Sequence, residues 1–230
     1  MTSVLLLPGG LWDDAMDAEQ FWVRPGILGE LQGRGLRVLA LDRPPRAPSW
    51  AVEVDHLTPA LPTRPLAVVA GSNGCSAAVR LALAHPDRVE RLLLAWPATA
   101  NDPVVDAQTR SGLIGHGASL DAIDELLAGQ TIRGVSDAEL TVMQLPVGVL
   151  PSVPANLFHQ RQTVDALCRL LPHAEELPGC PEPLHPDFPA HLDRLVTTVT
   201  EFVAGSPTSK THQEARDVTE HGHSTSARHI

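Results

Sequence analysis

Tyrosine is absent from this 230-residue chain, lysine occurs once, at Lys210, and aromatic residues make up only 3%. That bias by itself carries no functional reading. The 17 basic residues face 27 acidic ones, a net charge of −10, and no Lys/Arg cluster offsets it, which argues against nucleic acid as a partner. No apolar run is long enough to span a bilayer, and no membrane partner is expected. Met1-Thr2-Ser3 passes straight into Val4–Leu7 without the basic start and long apolar stretch of a secretory signal, so Val4–Leu7 reads as a first strand. The three cysteines, Cys75, Cys168 and Cys180, are odd in number and scattered, with no metal-ligand spacing. A reducing, cytoplasmic setting follows, with neither metal nor cofactor expected.

What remains is an ordinary globular composition, 43% hydrophobic and 19% charged, in a length that suits one domain with a sizeable core. Strand-like segments fall at Val4–Leu7, Leu36–Leu41, Leu66–Ala70, Leu92–Ala95, Pro146–Leu150 and Ala174–Leu177. Helical spacing falls near Pro25–Gly33, Ser49–Leu61, Gly74–Ala84, Asn156–Leu171 and Pro189–Val203. This alternation predicts an α/β fold around a mainly parallel central sheet flanked by helices. Residues 99–143 break it with two helix-like pieces, Leu120–Ala128 and Asp137–Met143, and read as a small helical lid inserted over the sheet's carboxyl edge. Gly112, Gly115 and Gly117 around His116 give that lid the flexibility to gate a pocket. The domain is expected to fill residues 1–205, and the polar stretch 206–230 reads as a disordered tail.

The chemistry concentrates at Val68-Val69-Ala70-Gly71-Ser72-Asn73-Gly74-Cys75. The unbroken apolar run Leu66–Ala70 suits a strand buried on both faces of a parallel sheet. After Gly74 the spacing becomes helical, through Ala77, Ala78, Leu81 and Ala82. A serine at the apex of a strand–turn–helix is nucleophile-elbow geometry, here as A-x-S-x-G. Cys75, just inside the helix, suits packing better than chemistry.

With that order of elements in place, residues 4–204 resemble the α/β-hydrolase family. Val68–Ala98, reading VVAGSNGCSAAVRLALAHPDRVERLLLAWPA, is similar to that family's strand, elbow, helix and next strand. LLLPGGLW (Leu5–Trp12) is similar to its oxyanion loop, with Pro8-Gly9-Gly10 in place of the usual His-Gly. Asp42-Arg43-Pro44 resembles its Asp-Arg-Pro-Gly turn. The resemblance implies that Ser72 attacks an ester, thioester or lactone carbonyl of a small-molecule substrate. The Asn73 N–H, with one from Gly10 or Leu11, would hold the oxyanion. It also implies an acid and then a histidine later in the chain, in the order Ser…Asp/Glu…His.

Those last two residues depart from the pattern. Glu182 falls nearest the expected histidine position and His185 arrives three residues later, so His185 is the expected base. The loop expected to carry the acid, Pro151-Ser152-Val153-Pro154-Ala155-Asn156, has no carboxylate, though an Asn at 156 can orient an imidazole. Asp102 and Asp106 lie one strand earlier. Asp102 is favoured as acid, although it suits a helix N-cap equally well. His159 is a further imidazole that could contact substrate or replace the base, and Trp12 and Trp96 are candidate pocket walls or core. The alternative function is an α/β-hydrolase scaffold with a degenerate triad, binding a small molecule or assisting a cyclisation or elimination.

Overall fold

The computed structural model describes residues 2–13 and 15–205. The stretch 206–230, expected from sequence to be a disordered tail, lies outside the described residues. Six parallel strands form one sheet: β1 (Ser3–Leu7), β2 (Arg37–Ala40), β3 (Leu66–Gly71), β4 (Val89–Ala95), β5 (Val147–Leu150) and β6 (Ala174–Glu176), in the order β2-β1-β3-β4-β5-β6. The reversal of order between β1 and β3 makes this a doubly wound sheet, whose switch point lies at the carboxyl ends of those two strands. The central strands β3 and β5 are buried along their whole length, as apolar runs without alternation require.

Helices cover both faces. On one lie α2 (Trp50–Leu57), α3 (Gly74–Ala84) and α7 (Arg161–Leu170), packed with Leu5, Leu7, Val68, Leu92 and Val147. On the other, α1 (Ile27–Gly33) and α8 (Leu192–Ala204) pack with Val4, Leu6, Val69 and Leu93. The alternate residues of β1 and β3 therefore serve opposite cores, which is the period-two geometry of a strand.

Between β4 and β5 the insert holds α4 (Pro103–Gly115), α5 (Leu120–Leu127) and α6 (Asp137–Thr141). The glycines read as a flexible gate lie on α4 and just past its end. Leu113, Ile123, Leu126 and Leu140 of the insert are fully buried in the first core. Among the described residues no helix is long and apolar enough to cross a membrane.

The helix expected at Asn156–Leu171 begins only at Arg161. Asn156 Oδ1 accepts from the N–H groups of both Phe158 and His159, an Asx turn that competes with helix formation. Residues 156–160 are consequently a loop, closed by a short antiparallel bridge between Asn156 and His159.

Candidate active site

β3 ends in Gly71 and the chain turns through Ser72 with φ +49°, a left-handed conformation that a non-glycine residue adopts at a cost of about 1–3 kcal/mol. The strain is held from both sides. Ser72 N–H donates to Ala95 O on β4 at 3.0 Å, and Cys75 N–H returns to Ser72 O at 3.0 Å. A Cβ at Gly71 would strike the Phe21 ring, and one at Gly74 would strike the Pro8 carbonyl. The small residues around Ser72 are thus demanded by close packing against the segment after β1. Cys75 is buried, and burial pushes its thiol well above the ordinary range.

The Ser72 hydroxyl meets an imidazole, but it is not that of His185. His159 Nε2 lies 3.0 Å from Ser72 Oγ. His159 Nδ1 lies 2.7 Å from Glu182 Oε1, a short contact that is off the axis of a well-aligned hydrogen bond. Each group of this chain arrives on an anchored loop. Thr99, fully buried beyond β4, donates its N–H to Phe158 O at 2.8 Å, and its hydroxyl accepts from Gln160 N–H at 2.9 Å, so His159 is pinned on both sides. Asn156 Nδ2 donates to Glu182 Oε1 at 2.8 Å, joining the two loops. The loop carrying Glu182 is held where the Trp96 indole donates to Cys180 O at 2.8 Å.

Burial pushes the Glu182 carboxyl up. Against it stand the His159 ring, the Ser152 hydroxyl, the charge available on His159 and the residue's own backbone amide, which together bring it down to about 2. Glu182 is an ionised carboxylate at any ordinary pH.

The other residues expected at the site sit elsewhere, or serve differently. His185 accepts a backbone hydrogen bond from Asp187 at 3.2 Å and forms part of the cavity wall, without touching Ser72 Oγ. Asp102 is the N-cap of α4, where its Oδ1 accepts from Val104 and Val105 N–H at 3.0 Å each. The Val105 amide above all, with Gln160 and Val104, holds its carboxyl below the usual range, with no imidazole in contact. Asp106 pairs with Arg133 at 3.1 Å. Trp96 is fully buried, edge-on to Phe21, and Trp12 lines a separate cleft of about 300 Å³ beyond the Gly9-Gly10 segment. Gly10 and Leu11 follow β1 beside the elbow, with Gly10 at φ +78°, and Asn73 is the N-cap of α3. The N–H groups at such a helix start have no intrahelical partner.

A cavity of about 570 Å³ opens at Ser72. Met16, Phe21, Leu157, Phe158, Leu184 and Pro186 give it an apolar wall, and no residue of the helical insert lines it. Sequence reasoning missed Met16 and Phe21, which lie in a segment with no strand-like or helix-like pattern. Among the described residues no three His, Cys, Asp or Glu side chains gather as metal ligands would.

No known sequence family matches the chain, and no curated protein does. Solved structures do. CarC, a serine hydrolase involved in carbazole degradation, is similar with a TM-score of 0.64 at 14% identity, over 89% of this chain and 91% of its own. The meta-cleavage product hydrolase CumD from Pseudomonas fluorescens IP01 gives 0.63 at 17% identity, over 89% and 91%. The carboxylesterase CesB from Bacillus subtilis gives 0.60 at 19%, over 90% and 85%. These likenesses run nearly end to end and agree with the six-stranded parallel sheet: the chain has the α/β-hydrolase fold.

Proposed function

We propose that the protein is a serine hydrolase that forms an acyl-enzyme at Ser72, with His159 as base and Glu182 as the carboxylate behind it. The observation that carries this reading is the continuous chain Ser72 Oγ–His159 Nε2 at 3.0 Å and His159 Nδ1–Glu182 Oε1 at 2.7 Å. Relative to the usual order Ser…Asp/Glu…His, the acid and the base have exchanged loops. The exchange is geometrically natural. In the sheet β5 lies between β4 and β6, so the relay from Ser72 after β3, to His159 after β5, to Glu182 after β6 follows the order of the strands.

In the reaction Ser72 Oγ attacks the acyl carbonyl carbon and its proton passes to His159 Nε2. Glu182 stays ionised, keeps the proton on Nδ1 and stabilises the imidazolium. The oxyanion is held by Asn73 N–H and by that of Gly10 or Leu11. The tetrahedral intermediate then collapses, His159 hands its proton to the departing oxygen or sulfur, and water repeats the sequence on the acyl-enzyme. The cavity favours a small uncharged ester, thioester or lactone with apolar groups flanking the reacting carbonyl.

A fluorophosphonate probe tests the reading. Wild-type protein should be labelled at Ser72, and Ser72→Ala and His159→Ala should not. An unlabelled wild-type protein that is folded by circular dichroism would refute it. The scaffold reading with a degenerate triad depends on the lack of a histidine after β6 at the usual position, and with His159 on Ser72 no observation favours it.

A further inference from the structure

The segment after β1 is held from behind by a buried guanidinium. Arg43 Nη1 donates twice, to Gly9 O at 3.1 Å and to Gly10 O at 2.5 Å. The same guanidinium is gripped by Glu53 through Nε–Oε2 at 2.8 Å and Nη2–Oε1 at 2.7 Å. The side chains of Arg43 and Glu53 are only 8% and 3% exposed, and the Trp50 ring lies 5.7 Å from the guanidinium carbon. Such a bidentate fork leaves the guanidinium little freedom to turn.

A planar trans peptide sends its N–H opposite to its C=O. Fixing the Gly9 carbonyl therefore fixes the Gly10 N–H, and fixing the Gly10 carbonyl fixes the Leu11 N–H, both directed away from Arg43. On the far side, a side chain at Gly9 would come within 3.0 Å of Ser72 Cβ. Whichever of the Gly10 and Leu11 amides joins that of Asn73 as an oxyanion donor in the proposed function, its plane is thus one that Arg43 sets. Gly10, at φ +78°, is a residue whose peptide planes would otherwise turn easily.

Resting on the serine-hydrolase reading above, we infer that Arg43, clamped by Glu53, is a positioning residue that presets the oxyanion donors of the Gly9–Leu11 segment. It touches neither substrate nor Ser72. Its contribution lies in preorganisation, since a donor held in place needs no reorientation as charge develops on the oxygen.

Arg43→Met alone would strand a buried carboxylate, so the test uses Arg43→Met/Glu53→Leu, which replaces the ion pair by apolar groups and tends to preserve stability. In that folded variant kcat, and the rate of fluorophosphonate labelling at Ser72, should both fall about 10–100-fold, with KM within about threefold. The shape of the pH profile should stay the same, because His159 and Glu182 are untouched. Arg43→Lys with Glu53 kept should recover part of the rate, since an ammonium reaches one carbonyl but cannot span both and the carboxylate. Wild-type kcat and labelling rate in the folded double variant would overturn the inference. A wild-type protein that takes no label at Ser72 would instead sink the serine-hydrolase reading, and this inference with it.

Discussion

Glu182 reaches His159 from the strand beyond the one that delivers the imidazole, and the two meet at 2.7 Å with Asn156 bonded to the same carboxylate oxygen. The imidazole therefore stands between Ser72 and a carboxylate that is held ionised. This is the arrangement that makes a serine hydroxyl a nucleophile at neutral pH. In the proposed function it arises with base and acid on exchanged loops, which bears on how each substitution should behave.

His159→Ala should reduce kcat by on the order of 10⁵, about as much as Ser72→Ala, because triad members act as a unit. His185→Ala should leave kcat within about threefold and shift KM severalfold, since His185 is only a wall of the cavity. Steady-state kinetics on a short-chain aryl ester separates the two. A His185→Ala protein as inert as His159→Ala would return the base to the position that the sequence alone suggests.

Glu182→Gln keeps the size of the side chain and removes its charge, and should lower kcat by roughly 10³–10⁴. The same residue links pH to stability. Its folded-state carboxyl lies at about 2 against an ordinary 4.5, so it binds its proton less readily when folded. The stabilisation it brings, on the order of 2–3 kcal/mol after allowance for partial solvent screening, is fully present above pH 4.5 and is lost as pH falls through about 2. Urea titrations of wild type and Glu182→Gln at about pH 7, 4 and 2.5 should show the wild-type advantage shrinking along that series. An advantage that grows on acidification would contradict the sign.

Asn156→Ala removes three contacts at once, two that shape the turn under His159 and one that holds Glu182. Small misplacements of a base cost about 10²-fold, and that is the loss in kcat expected here with KM little changed. Fluorophosphonate labelling should slow by the same factor, while a loss confined to KM would show that Asn156 serves only the cavity wall.

The sheet is legible in the sequence because its strands are apolar runs, and each of the six lies within a few residues of its expected place. Helix α4 is not, since Gly112, Gly115 and a mixed polar face hide its period. Its cap residue Asp102 passes for an acid because an N-cap and a catalytic loop use the same residue type. The proposed base and acid escape sequence reasoning for a different reason. His159 is visible as an imidazole near the carboxyl edge, and Glu182 as the residue at the usual histidine position, but the expected chain order keeps the two apart. A carboxylate where the histidine belongs, with a histidine in the loop that lacks its carboxylate, is the signal of an exchange. The Asx turn at Asn156 conceals it further, because residues 156–160 continue the apolar spacing of the helix that follows.

Arg133 gives the remaining prediction. It comes from the helical insert and is 2% exposed; Nη1 donates to Asn73 Oδ1 at 2.9 Å, which joins the insert to the elbow, and Nη2 donates to Asp106 Oδ1 on α4 of the same insert at 3.1 Å. Burial pulls its guanidinium below its ordinary range and Asp106 draws it back, while its Nε has no hydrogen-bond partner. Breaking a buried ion pair by removing one partner costs about 3–5 kcal/mol. Here the Asp106 side chain is 28% exposed and can be rehydrated, and the unsatisfied Nε disappears with the guanidinium. Arg133→Met should therefore lose roughly 2–3 kcal/mol in denaturant unfolding, at the lower edge of that range or below it. Arg133→Met/Asp106→Leu should recover part of the loss, because no charge is left facing the apolar side chain. A double variant less stable than the single one would show that a stranded Asp106 charge is not the source of the loss.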